Sequence, residues 1–178
     1  MKRRQFITAA GGIALYSIFK PSIFKPAWAD TMTTDIKIEI KPLRKSTEEW
    51  QKLLSKESYA VLFEEATERA GTSPLNKEKR AGTFICAACF LPLFSSQAKY
   101  ESGTGWPSFW QPIAADHIGT KRDFFLIVSR TEYHCARCGG HQGHVFEDGP
   151  EPTGLRYCNN GVALQFVSEG EKLPELRT

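Results

Sequence analysis

The sequence predicts a mainly β domain, entered through helices on its N-terminal side and pinned by a four-cysteine metal site. Three observations carry this expectation. From Gly82 onward, short β-branched and aromatic runs (TFICAAC, DFFLIVS, TEYHCARC, GHVFEDGP, LRYCNNGVALQFV) alternate with Gly and Pro punctuation, the pattern of short antiparallel strands. Ahead of Gly82, apolar residues recur at helical spacing instead. Four of the five cysteines form two C-x-x-C knuckles, Cys86/Cys89 and Cys135/Cys138.

The N-terminus has the parts of an export signal: a basic start (Lys2, Arg3, Arg4), a mildly apolar run from Phe6 to Phe19, and Ala27-Trp28-Ala29 at the cut. The apolar run is too short for a comfortable membrane span. The paired arginines before Gln5-Phe6-Ile7 resemble the twin-arginine type, which exports folded proteins. Residues 1–29 are expected to be removed on export to a periplasm. Those residues hold five basic and no acidic side chains, so their loss takes the net charge from +3 to −2. A mature domain of that charge is not a nucleic-acid binder by electrostatics. Roughly 150 residues suffice for one domain with one core.

Residues 30–45 form a polar lead, with Ile36-Lys37-Ile38-Glu39-Ile40 readable as a short strand. A helix is expected from Ser46, where Ser46 and Glu49 have capping-box spacing and Trp50, Leu53 and Leu54 form an apolar face. A second is expected over Ser58 to Ala70, with Val61, Leu62 and Ala66 on one side and Gly71 ending it.

Each C-x-x-C is too local to staple a fold as a disulfide, and the paired knuckles have metal-ligand spacing. The expectation is zinc in a closed, structural site of four cysteines, with the knuckles on two hairpin turns. Iron in a rubredoxin-like site has the same ligands and ranks second, since nothing else suggests electron transfer. Redox-active knuckles without metal would describe a thiol–disulfide oxidoreductase. A zinc-ribbon binding module without catalysis is a further alternative.

The fifth cysteine, Cys158, stands in Leu155-Arg156-Tyr157-Cys158-Asn159-Asn160. On a strand, Arg156, Cys158 and Asn160 share a face. A cation two positions away favours thiolate, and Asn160 offers a hydrogen bond beside the sulfur. His141 and His144 lie on the glycine-rich GGHQGHVF, suited to binding metal or to binding and protonating an oxygen. His117 and His134 read as incidental. In GTGWPSFWQP, Trp106, Phe109 and Trp110 suit either a core or the wall of a pocket for a small apolar group.

SGTGWPSF, CAAC with CARC, HQGHVFEDGPEPTGLRYCNN and the trailing VALQF resemble the B-type peptide-methionine (R)-S-oxide reductases, in the family's order and over roughly residues 46–168. The resemblance implies two small antiparallel sheets with N-terminal helices, the reductase domain occupying 46–178. It implies Cys158 as the nucleophile that attacks a methionine sulfoxide sulfur and becomes a sulfenic acid. It implies His144, His141 and Asn160 as the groups serving the sulfoxide oxygen, with Trp106 and Arg156 at the substrate. It implies Cys86, Cys89, Cys135 and Cys138 as ligands of structural zinc. The substrate would be oxidised methionine in proteins, the reductant an external thiol such as a thioredoxin-like protein, and the chain a monomer.

Thr104 stands where many members carry a resolving cysteine, so a one-cysteine cycle is expected. Gly161, where many have serine, and the stretch SPLNKEKRAG are further departures.

Overall fold

The computed structural model describes residues 39–123 and 130–178. Two helices come first, α1 (Thr47–Leu53) and α2 (Lys56–Glu64). Strands follow: β1 (Gly82–Cys86), β2 (Pro92–Ser95), β3 (Lys99–Tyr100), β4 (Ser108–Phe109), β5 (Ile118–Asp123), β6 (Arg130–Cys135), β7 (His141–Phe146), β8 (Arg156–Asn159) and β9 (Leu164–Ser168). They form two antiparallel sheets, one in the order β2-β1-β9 and one in the order β3-β4-β8-β7-β6-β5. The mainly β, two-sheet expectation holds. The expected export signal lies outside the described residues, as do Ile36 to Ile38 and most of the DFFLIVS run. Glu39 and Ile40 form no strand.

Helix α1 starts where its capping box requires. Ser46 Oγ accepts from the Glu49 amide at 3.3 Å, and the Glu49 carboxylate accepts from the Ser46 amide at 2.8 Å. Trp50 is buried and stacks on Phe63 of α2 at 4.9 Å. The predicted apolar face is narrower than expected, because Leu53 is exposed and Leu54 is already the extended C-cap.

Helix α2 is shorter than predicted and ends six residues before Ala70. Glu65 turns left-handed (φ 56), and the segment after it spends its polar groups on distant partners. The Glu68 amide donates to Asn160 Oδ1 at 2.9 Å, Trp106 Nε1 donates to the Glu68 carbonyl at 2.8 Å, and the Gly71 amide donates to the Gly105 carbonyl at 2.8 Å. A continuing helix would need those backbone groups for itself. Ala66 therefore lies off the helix, and residues 66–71 become a strap across the sheet.

An aromatic core lies between the sheets. Phe94 of β2 stacks on Phe109 of β4 at 4.2 Å, and Phe84 of β1 meets Phe109 edge-on at 4.9 Å. Tyr133 and Tyr157 extend the cluster, with rings 5.4 Å apart, and the Tyr133 hydroxyl donates to Asn159 Oδ1 at 2.5 Å. Offset and edge-on pairs of this kind add to simple burial.

One irregularity shapes the larger sheet. On β7 the register steps from Gly143, opposite Tyr133, to His141, opposite His134. Gln142 is the extra residue of a β-bulge. Residues three apart normally face opposite sides of a strand, but the bulge brings His141 and His144 to one face. Gly143 sits in the turn of that bulge, where a side chain would collide with the Cys158 carbonyl of β8. Gly143→Ala is expected to lower stability by about 1–3 kcal/mol through that overlap. An unchanged urea midpoint would show that β8 can yield there.

Candidate active site and metal centre

Opposed residues in an antiparallel sheet share a face, so the register places one row of side chains across five strands. The row runs Ser108 (β4), Cys158 (β8), His144 (β7), Glu132 (β6), Lys121 (β5). Two residues along lies a second row containing Arg156, Phe146, Arg130 and Asp123. The opposite face of these strands carries the aromatic core. Cys158, His144, Glu132, Lys121, Arg156, Arg130 and Asp123 thus come from one face of one sheet.

Cys158, His144, Asn160 and Trp106 line a cleft of about 110 Å³, with Arg130 and Phe146 on its wall and Thr67 from the strap. Trp106 is held by its indole bond to Glu68. Phe109, by contrast, belongs to the core. Asn160 is buried and doubly anchored: its Nδ2 donates to the Gln142 carbonyl at 3.0 Å, and its Oδ1 takes the Glu68 amide. Its backbone follows β8 and no longer alternates with Arg156 and Cys158 as part of the strand.

His141 and Arg156 stand behind this lining. The His141 ring centroid is 5.5 Å from that of His144. Arg156 is buried, bound to Asp148 by two bonds of 2.7 and 2.8 Å, and lies over the Phe146 ring at 4.2 Å. Asp123, Arg130 and Glu132 are not singled out by the sequence. His144 Nε2 is 2.8 Å from Asp123 Oδ2, and Arg130 reaches the same oxygen at 2.8 Å. An alternating R-T-E beginning a strand is the available signal for Arg130 and Glu132. His117, read as incidental, is buried with Nδ1 2.5 Å from the Pro92 carbonyl.

Burial acts on the two central groups in opposite directions. It pushes the Cys158 thiol above its ordinary value, and the Arg156 charge and the Thr104 hydroxyl only partly offset this. The thiolate-favouring effect expected of Arg156 is present but outweighed. Burial pulls His144 below the ordinary imidazole value, and its bond to Asp123 does not fully compensate. Near neutral pH the pair is a thiol beside a neutral imidazole. Thr104 is tied in by hydroxyl contacts: it lies 2.8 Å from Ser102 Oγ, which is 2.7 Å from Ser108 Oγ.

The departure at Gly161 is matched in the structure. A side chain there would collide with Ser73 of the atypical SPLNKEKRAG stretch, and the Gly161 amide donates to Glu68 at 2.5 Å.

The four knuckle sulfurs come together as anticipated, on the β1–β2 and β6–β7 turns, all within 4.8 Å of one another. Cys86 and Cys138 sulfurs are 3.7 Å apart, and those of Cys89 and Cys135 are 3.5 Å apart. Four thiols this close compete for protons: bonds from Cys135 pull Cys89 far down and push Cys86 well up. A divalent cation resolves that competition by taking four thiolates, so the donor set could hold a metal ion. Segments from before α1 and after β9 reinforce the turns. The Leu43 amide donates to the Arg137 carbonyl at 2.7 Å, the Arg177 amide donates to the Cys89 carbonyl at 3.2 Å, and Arg177 covers Phe90 at 4.4 Å. Phe90 is left-handed (φ 65), a costly conformation for an aromatic residue.

Elemental analysis should find about one metal ion per chain, and stripping it should cost at least several kcal/mol of stability. A metal-free protein with an unchanged melting temperature would contradict this. Alkylation of Cys158 by iodoacetamide requires thiolate, so its rate should reach half-maximum above the pH of an ordinary thiol. Arg156→Met should move that midpoint higher still. A midpoint at or below the ordinary value would show that charge outweighs burial.

Comparison with known proteins agrees with this geometry. Residues 54–168 match the SelR domain. A peptide methionine sulfoxide reductase MsrB of Methanosarcina barkeri is 51% identical over 131 residues, covering 74% of this chain and 92% of that protein. MsrB of Leptospira interrogans is 50% identical over 127 residues, covering 71% and 97%. MsrB of Bradyrhizobium diazoefficiens is 51% identical over 138 residues, covering 78% and 96%. The chain belongs to the SelR-domain family, the B-type peptide methionine sulfoxide reductases.

Proposed function

We propose that this protein reduces the R epimer of methionine sulfoxide in proteins through Cys158, in a cycle that needs no second cysteine. Membership of the family carries the reaction. The observation that carries the assignment to residues is the register of β8 on β7, which sets Cys158 opposite His144 in the cleft that Trp106 closes.

The Cys158 sulfur attacks the sulfoxide sulfur and an S–S bond forms. The sulfoxide S–O bond breaks, and as its oxygen bonds to Cys158 the S–S bond breaks in turn, giving methionine and a sulfenic acid. Methionine sulfur gains two electrons and Cys158 loses two. The only proton required is the one the thiol releases. His144, a neutral imidazole beside a protonated thiol, is placed to take that proton and deliver it to the leaving oxygen. His141 supports the transfer, and Asn160 offers its remaining N–H to the oxygen. Trp106 contacts the methyl group and selects the epimer. Arg156 acts at the substrate end of the site through its charge beside the sulfur.

Thr104 cannot form a disulfide, and the other four cysteines hold the metal, which is zinc. An external thiol therefore attacks the sulfenic acid, releasing water and leaving a mixed disulfide. A second thiol, as in a thioredoxin-like protein, frees Cys158. The domain acts as a monomer. Residues 1–29 direct its export, folded and metal-loaded, to the periplasm.

Mixing the reduced, metal-loaded protein with R- or S-sulfoxide peptide, without reductant, should give about one methionine per chain from the R form alone. The product chain should be trapped as a Cys158 sulfenic acid. Cys158→Ser should retain metal and yield no methionine. A Cys158 disulfide within the chain as the main intermediate would overturn the one-cysteine cycle.

A further inference from the structure

Glu132 is the most deeply buried carboxylate in the row, at 3% exposure. A carboxylate so buried costs several kcal/mol unless it is paired. Its partners are Lys121 Nζ at 3.2 Å and His141 Nδ1 at 3.0 Å. Lys121 is shared, since its ammonium also binds Glu65 at 2.5 Å near the surface. One ammonium between two carboxylates leaves His141 to complete the compensation of Glu132. Nδ1 is the ring nitrogen that faces the carboxylate, although its approach lies off the ideal hydrogen-bond angle. Such contacts commonly tighten when substrate fills a site.

Register alone would send Glu132 to His144, its direct partner across the strands. It does not go there, because Asp123 already holds His144 at Nε2. The bulge at Gln142 brings His141 to the same face, within reach of Glu132. Each histidine thus has a carboxylate of its own.

We propose that Glu132 is a positioning residue for the reduction, holding the His141 ring with its proton on Nδ1 so that Nε2 is the nitrogen that exchanges protons. This rests on the reading of Cys158, His144 and His141 given above. A carboxylate accepts but cannot donate, so a ring nitrogen facing it must carry hydrogen. The tautomer is then fixed by the protein, as the orienting acid does in other carboxylate–imidazole pairs. Lys121 holds the carboxylate in place from its other side. Glu132 lines no part of the cleft, so its effect should fall on the rate of the chemical step and not on substrate binding.

The test uses full metal-loaded protein labelled with 15N-histidine. In the wild type the His141 ring should show a protonated Nδ1. In Glu132→Gln the tautomers should mix, and single-turnover methionine formation should slow about tenfold or more with KM little changed. Glu132→Asp should recover most of the rate. A folded, metal-replete Glu132→Gln with wild-type rate and an unaltered His141 spectrum would overturn the proposal.

Should Glu132→Gln fail to fold, Lys121→Met decides. Among the described residues, the groups facing His141 are Glu132 and His134 from β6, Lys121 from β5, His144 from β7 and Glu65 after α2. Removing the ammonium that holds Glu132 from its other side should let the His141 ring lose its single tautomer in the same spectra. An unaltered tautomer ratio would overturn the proposal. If the wild type yields no methionine, the reaction reading fails, while the ring spectra still decide whether Glu132 fixes His141.

Discussion

Four sulfur atoms bring together the turns of two sheets that also meet through their aromatic faces. Cys86 and Cys89 belong to the turn of the smaller sheet, Cys135 and Cys138 to the turn of the larger one. A metal held there is a cross-link between layers, placed at the rim of the core. Its influence reaches the chemistry through one side chain. Gln142 Nε2 lies 3.5 Å from Cys86 Sγ, while its carbonyl accepts from both the backbone and the side chain of Asn160. The residue that makes the bulge therefore also couples the metal turn to the cleft.

The bulge converts a strand into a site. Without it, two histidines three residues apart would face opposite sides, one of them into the core. With it, both imidazoles, both carboxylates and the Cys158 thiol lie on one face, backed by Tyr133, Tyr157 and Phe109. That backing is dry, and the dryness sets the protonation states. It favours the proton on sulfur and off His144, so the resting pair is neutral. A cleft open to water on all sides would lose this arrangement.

Much of this is legible in the chain because it is local. The Ser46/Glu49 capping box, the two knuckles and the alternation of Arg156 with Cys158 are read over two to four residues. The fold class follows from the texture of short strands, and the reductase motifs from their order. What is not legible depends on partners far along the chain. Helix α2 stops at Glu64 because Asn160 and Gly105 recruit the backbone after it. Phe109 is core while Trp106 lines the cleft, although both stand in one motif, because Glu68 binds only the indole. Glu132 reads as an exposed charge on a strand until Lys121 and His141 are set beside it. The direction of the Cys158 shift is likewise hidden, since a nearby cation is visible in sequence and burial is not.

The order of strands in the smaller sheet has a bearing on how the protein is made. Its central strand, β1, is flanked by β2, which follows it directly, and by β9, which is synthesised last. The first knuckle leaves the ribosome well before the second, and the segment that covers Phe90 follows both. Throughout that interval Cys86 and Cys89 are a free, closely spaced dithiol, able to close on each other and so be lost as ligands. Contacts this distant in sequence also form slowly. For a metal to be held there, the first pair must stay reduced until the second is made, a condition set by the order of the strands.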